Sequence, residues 1–113
     1  MNLEVSVEKL YETGWQPETF LTNPAAIAQA GLEQLPDGRL YPSVLKVQQL
    51  FAAAGYDLAI RYVQLFDCYR AAWMDKQGNA LGAVVGSSDR EAAVYALAAF
   101  RAAKTPVAAA TTK

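Results

Sequence analysis

The sequence predicts an α+β domain: a small antiparallel sheet of three or four strands packed against two main helices. Three observations carry this prediction. Residues 57–66, 68–75 and 80–86 alternate at the two-residue period of a strand, and a glycine-containing loop at 75–79 joins the last two. Residues 42–54 repeat apolar side chains at helical spacing. Ser88-Asp89-Arg90-Glu91 has the form of a capping box opening a helix over 89–103. The expected order is an acidic N-terminal helical arm over 1–40, an α-β-β-β-α core over 41–104 and a flexible tail over 105–113.

Within the arm, residues 3–13 favour a helix, although the Val5-Ser6-Val7 alternation also permits a short strand. As a helix, Glu4, Glu8 and Glu12 fall at i, i+4 spacing and form one acidic stripe. Gly14 stops that element. Thr22-Asn23-Pro24 offers a cap with proline at the first helical position, opening a short helix over 25–34. Leu35-Pro36-Asp37-Gly38 is a turn, because proline pre-sets φ and glycine accepts a positive one. Residues 14–40 thus read as a loop-rich arm that wraps the domain rather than joining its core.

The core helix carries Val44, Val47, Leu50, Phe51 and Ala54 on one side, with Gly55 just past its end. In the first strand, Leu58/Ile60/Tyr62 and Ala59/Arg61/Val63/Leu65 are both largely apolar sets, which predicts a central strand or one covered on both faces. The next strand points Tyr69, Ala71 and Trp73 one way and Cys68, Arg70, Ala72 and Met74 the other. Gly82 and Gly86 in the last strand suggest close backbone approach or a bulge. Val94, Tyr95, Leu97 and Phe100 give the final helix its apolar side, and its alanines let it lie close on a sheet. Thr105-Pro106 ends it.

At 113 residues the chain is sized for one domain with its own core. Apolar residues at 53% and charged residues at 19% place it among globular rather than disordered chains. Cys68 is alone, which removes an intramolecular disulfide and makes a reducing, cytoplasmic setting the expectation. MNLEVSVEKLYE lacks the basic and apolar regions of a secretory signal, and no apolar run approaches the ~20 residues of a membrane span. The net charge of −1 is unevenly spread. Residues 1–38 set six acids against Lys9 alone, a net −5, whereas residues 39–113 set nine Lys/Arg against five acids, a net +4. That asymmetry marks either an interaction surface or compensation within one fold.

Chemistry is sparse. Histidine is absent, which removes imidazole triads, most zinc sites and the commonest general base. Asp57, Asp67 and Asp75 fall at strand ends and turns, where solvated carboxylates are the rule. Gly82 to Ser88 leads from a strand into a helix N-terminus but lacks the lysine and spacing of a phosphate loop. No catalytic, cofactor-binding or metal-binding residue is therefore nominated. Tyr69, Trp73, Arg61, Arg70 and Lys76 are the types that stack and neutralise single-stranded nucleic acid. The alternation nevertheless puts Tyr69 and Trp73 opposite Arg70, which favours an aromatic core face and a solvated Arg70.

The helix at 42–54, the three strands and the helix at 89–103 resemble a double-stranded RNA-binding domain over about half the chain. That family opens its last helix with RNA-contacting lysines, and this chain reads Asp89-Arg90-Glu91-Ala92-Ala93 there, with Arg90 the only base. LFAAAGYDLAI, YRAAWMD and SSDREAAVYALAAF also resemble small α/β sandwich proteins of bacteriophages and prophages. That resemblance implies a phage or mobile-element context. The resulting expectation is a non-enzymatic binding or regulatory protein acting by protein–protein contact, for example a phage accessory protein that modulates a host factor. Its candidate interaction surface is Glu4, Glu8 and Glu12, followed by Tyr69 and Trp73. Nucleic-acid binding through the basic half is the alternative, and self-association through exposed strand edges stays open.

Overall fold

A computed structural model describes residues 2–17 and 23–104. The expected flexible tail over 105–113 lies outside the described residues, as does Thr22 of the expected cap. The elements are α1 (Leu3–Glu12), α2 (Pro24–Gln29), β1 (Leu32–Gln34), β2 (Leu40–Pro42), α3 (Val44–Ala53), β3 (Asp57–Val63), a 3₁₀ turn (Gln64–Phe66), β4 (Cys68–Met74), β5 (Ala80–Gly86) and α4 (Asp89–Lys104). The fold is α+β, with α3-β3-β4-β5-α4 in the expected order.

Helix α1 resolves the strand-or-helix choice. The Asn2 side chain accepts from the Val5 amide at 2.9 Å, satisfying one of the donors that a helix start leaves unpaired. Helix α1 packs against α4, and Val7 and Leu10 are fully buried in the main core cluster with Phe51 and Val94; of residues 14–40, expected to wrap the domain, Leu35 is buried in that same cluster. Leu10 and Val7 lie three apart and share the inward side, so the acidic stripe turns outward. Arg101 clamps the end of this pairing, its Nε donating to Thr13 Oγ1 at 2.9 Å.

Ser6 is also fully buried on α1, and its hydroxyl has no hydrogen-bond partner among the described residues. A buried hydroxyl without a partner forfeits its hydration and gains nothing in return. Ser6→Ala is therefore expected to stabilise the chain by about 1 kcal/mol. A urea midpoint that falls would show that the hydroxyl is satisfied in solution.

The helix expected over 25–34 is shorter. Asn23 caps α2 by accepting from the Ala25 amide at 2.8 Å, but Gly31 at φ +77° turns the chain out of the helix. Residues 32–34 then pair with 40–42 as an antiparallel hairpin, Glu33 opposite Tyr41. The Leu35-Pro36-Asp37-Gly38 turn closes it, with the Gly38 amide donating to the Leu35 carbonyl at 2.9 Å. Pairing with the strand across the Leu35-Gly38 turn outweighs the helical preference of Leu32-Glu33-Gln34.

Ser43 caps α3, accepting from the Lys46 amide at 3.2 Å, and Val47 and Phe51 form its buried side. The three-stranded sheet has the order β3-β4-β5, every pair antiparallel. Here β3 is an edge strand and not the central one expected. Helices α3 and α4 cover a single face, burying Leu58, Ala71 and Trp73, with Val84 packed against that core. Apolar composition on both sides of β3 reflected alanine and valine that tolerate exposure, not burial on two faces. The strand expected to run to residue 66 ends at Val63, where the 3₁₀ turn and the left-handed Asp67 (φ +48°) reverse the chain.

Helix α4 begins as the Ser-Asp-Arg-Glu run predicts, with the Glu91 amide donating to Ser88 Oγ at 3.1 Å. The returning Glu91 carboxylate reaches one residue further than a capping box requires. It accepts from the Ser87 amide at 3.1 Å and from the Ser87 hydroxyl. These bonds let a carboxylate sit almost fully buried at the positive end of the helix.

Candidate interaction surface

The face of the sheet turned away from α3 and α4 carries no covering element among the described residues. Its geometry follows from the pairing register. Arg61 lies directly opposite Arg70, which in turn lies opposite Val85. The neighbouring row is Ala59, Ala72 and Ala83, a shelf with no side chain beyond Cβ. Both arginines are exposed, and neither has a hydrogen bond or ion pair among the described residues. Like charges directly opposite each other across a strand pair oppose folding. Such a pair costs stability, and no ion pair among the described residues offsets it.

Apolar side chains border the arginines. Val85 and Leu81 are half exposed on β5. At the β3–β4 turn, Leu65 is 82% and Phe66 72% exposed, large apolar side chains given to solvent at a projecting tip. Tyr62 braces that tip, its hydroxyl donating to Asp67 Oδ1 at 2.7 Å and its ring lying 5.3 Å from the Tyr69 ring. The carboxylate beside it, first through this hydrogen bond, raises the Tyr62 phenol above its ordinary value. The patch thus mixes exposed apolar side chains with cations that have no partner among the described residues.

The residues singled out from sequence are placed as follows. Glu4, Glu8 and Glu12 are all exposed and line the outer side of α1. Trp73 is only 8% exposed, packed against Phe51 at 5.7 Å between ring centroids, so it belongs to the core and presents little surface. Tyr69 is half-buried on the same covered side of the sheet. Stripe and aromatics are not brought together. The Arg61–Arg70 apposition escaped the sequence because the register of β3 on β4 depends on where the intervening turn begins.

Several other charged groups are engaged in holding loops. Asp75 accepts from the amides of Gln77 and Asn79, each at 2.9 Å, and Asn79 above all keeps its carboxyl below the ordinary range. Arg39 likewise holds Asp37 low across a 2.9 Å ion pair. Arg90, the one base at the start of α4, is tied to Glu33, Nε to Oε1 at 2.6 Å and Nη2 to Oε2 at 3.4 Å. That pair pins the β1–β2 hairpin to the helix start. Among the described residues no three Cys, Asp or Glu side chains gather as a metal site. None of the described helices is long and apolar enough to cross a membrane.

Tyr41 lies beneath the Arg90–Glu33 pair. Burial, with the Glu33 carboxylate beside it, pushes its phenol up to about 12, against a smaller opposing pull from Arg90. The folded chain thus holds this proton more tightly than the unfolded chain, whose tyrosine releases it near pH 10. The associated stability is complete below pH 10 and drains away as pH rises toward about 12. Tyr41→Phe is expected to flatten that alkaline loss in urea titrations. An unchanged slope would place the titrating group elsewhere.

No family model, curated protein or solved structure matches this chain. Fold and surface together define a class, an α+β domain whose two-helix layer covers one sheet face while no described element covers the other.

Proposed function

We propose that this chain is a non-enzymatic binding protein that acts by protein–protein contact through the open β3–β4–β5 face. The observation carrying the reading is the Arg61–Arg70 pair, exposed, opposed in register and without an ion pair among the described residues. An acidic partner surface would relieve that repulsion, while Val85, Leu81 and Phe66 supply apolar area to bury. A regulatory role, with a phage accessory protein acting on a host factor as one form, extends the same reading on the strength of the resemblance. Lone Cys68 suits a reducing, cytoplasmic setting for it.

The test is affinity capture from lysate with the wild-type chain, Arg61→Glu/Arg70→Glu and Glu4→Lys/Glu8→Lys/Glu12→Lys. A protein retained by the wild type and lost with the arginine variant supports the reading. Equal recovery on all three chains removes both surfaces from consideration. The same arginines also favour a second reading, single-stranded or duplex nucleic-acid binding, which predicts a complex that weakens steeply with salt. No mobility shift of RNA or DNA at low salt eliminates that alternative.

A further inference from the structure

We propose that the open sheet face takes a second copy of this chain, whose α1 lies across β3 and β4 with its acidic stripe on Arg61 and Arg70. The inference rests on the protein-contact reading above and names the partner.

Charge and spacing are complementary. Exposed glutamates at positions 4, 8 and 12 recur one helical turn apart, about 5–6 Å between neighbouring Cβ atoms. Arg61 and Arg70, directly opposed, hold their Cβ atoms about 4.5–5.5 Å apart. Two consecutive carboxylates can therefore meet two guanidinium groups one to one. Each surface also contains its own like-charge repulsion, which the other relieves. Lys9 is the only cation on α1, so the helix keeps its acidic character.

The shapes are compatible too. Three strands of seven residues span roughly 23 Å by 14 Å, and a helix of 10 residues is about 15 Å long. The alanine shelf at 59, 72 and 83 admits a helix at close range, and Val5, exposed within the stripe, would rest on it. Because α1 packs on α4, and α4 covers the other side of the sheet, stripe and open face look in different directions. The contact is then head-to-tail, and association proceeds to rings or chains rather than stopping at a symmetric pair.

Sedimentation velocity over a concentration series tests this with the full chain. At low salt the weight-average mass of the wild type should rise with concentration, and added salt should return it toward the monomer. Arg61→Glu/Arg70→Glu and Glu4→Lys/Glu8→Lys/Glu12→Lys should each weaken association at least tenfold while keeping wild-type circular dichroism. Mixed in equal amounts, the two variants should associate again, since each then offers the surface that the other needs. A wild type that stays monomeric throughout overturns the inference, while lysate capture still decides whether the face binds some other protein. Variants that each lose association without recovering it on mixing also overturn it.

Discussion

Phe51→Ala is expected to cost about 4 kcal/mol of folding stability. Phe51 is fully buried, and its ring joins three elements. It leaves α3 to lie 4.7 Å from the Phe100 ring of α4 and 5.7 Å from the Trp73 ring of β4. Truncation removes the transfer free energy of the ring and leaves a cavity. The surroundings cannot readily collapse into it, because the buried side of α4 is largely Ala92, Ala93, Ala96 and Ala98, which lack length to refill the space. A domain of this size has roughly 5–15 kcal/mol in all, so the variant should sit near the edge of folding at room temperature. Urea denaturation measures it, and Phe51→Leu should lose less than half as much. A loss below about 1 kcal/mol for the alanine variant would mean that the three elements are not held together through this ring.

The second large effect arises from the smallest residue in the sheet. Gly82 lies opposite Trp73 on the covered face, and a Cβ there would stand 2.3 Å from Trp73 Cζ2 and 2.8 Å from Cε2. No real Cβ tolerates such contact with a rigid ring, so the indole must leave its place against Phe51. Gly82→Ala should cost about 2–3 kcal/mol, even though alanine suits a strand better than glycine. Two comparisons isolate the cause. Ala83→Val, one residue on and facing the open side, should stay within about 0.5 kcal/mol of wild type. In Trp73→Phe the smaller ring vacates the space, so the double variant with Gly82→Ala should cost less than the two single losses added together. Additive losses would assign the effect to the backbone rather than to the clash.

Much of this architecture is legible in the amino-acid sequence. The strand alternation separated Tyr69, Ala71 and Trp73 from Arg70 and Met74, and the separation holds, with Trp73 in the core and Arg70 in solvent. Ser88 caps α4 as its spacing required. These features are local, set by residues within a few positions of one another, where backbone sterics and orphan amides act directly. Departures from that reading fall where a partner outside the segment decides. Leu32-Glu33-Gln34 reads as helix until Leu40-Tyr41-Pro42 pairs with it. Leu58 to Val63 reads as central until only one of its faces receives helices.

The contact surface divides in the same way. An i, i+4 glutamate stripe is a property of one helix and can be counted in the chain. The Arg61–Arg70 apposition is a property of register, which turns on the 3₁₀ turn and the left-handed Asp67 between the strands. The α+β class, the order of the core elements, the Asn23 and Ser88 caps and the two side-chain sets of β3 and β4 follow from the sequence alone, because those depend on short-range geometry and period. Packing alone makes β3 an edge, brings α1 into the core, sets Trp73 against Gly82 and puts two arginines on a face with no described cover. Each of these depends on which surfaces meet, and that is settled by competition for burial across the whole chain rather than by any segment alone.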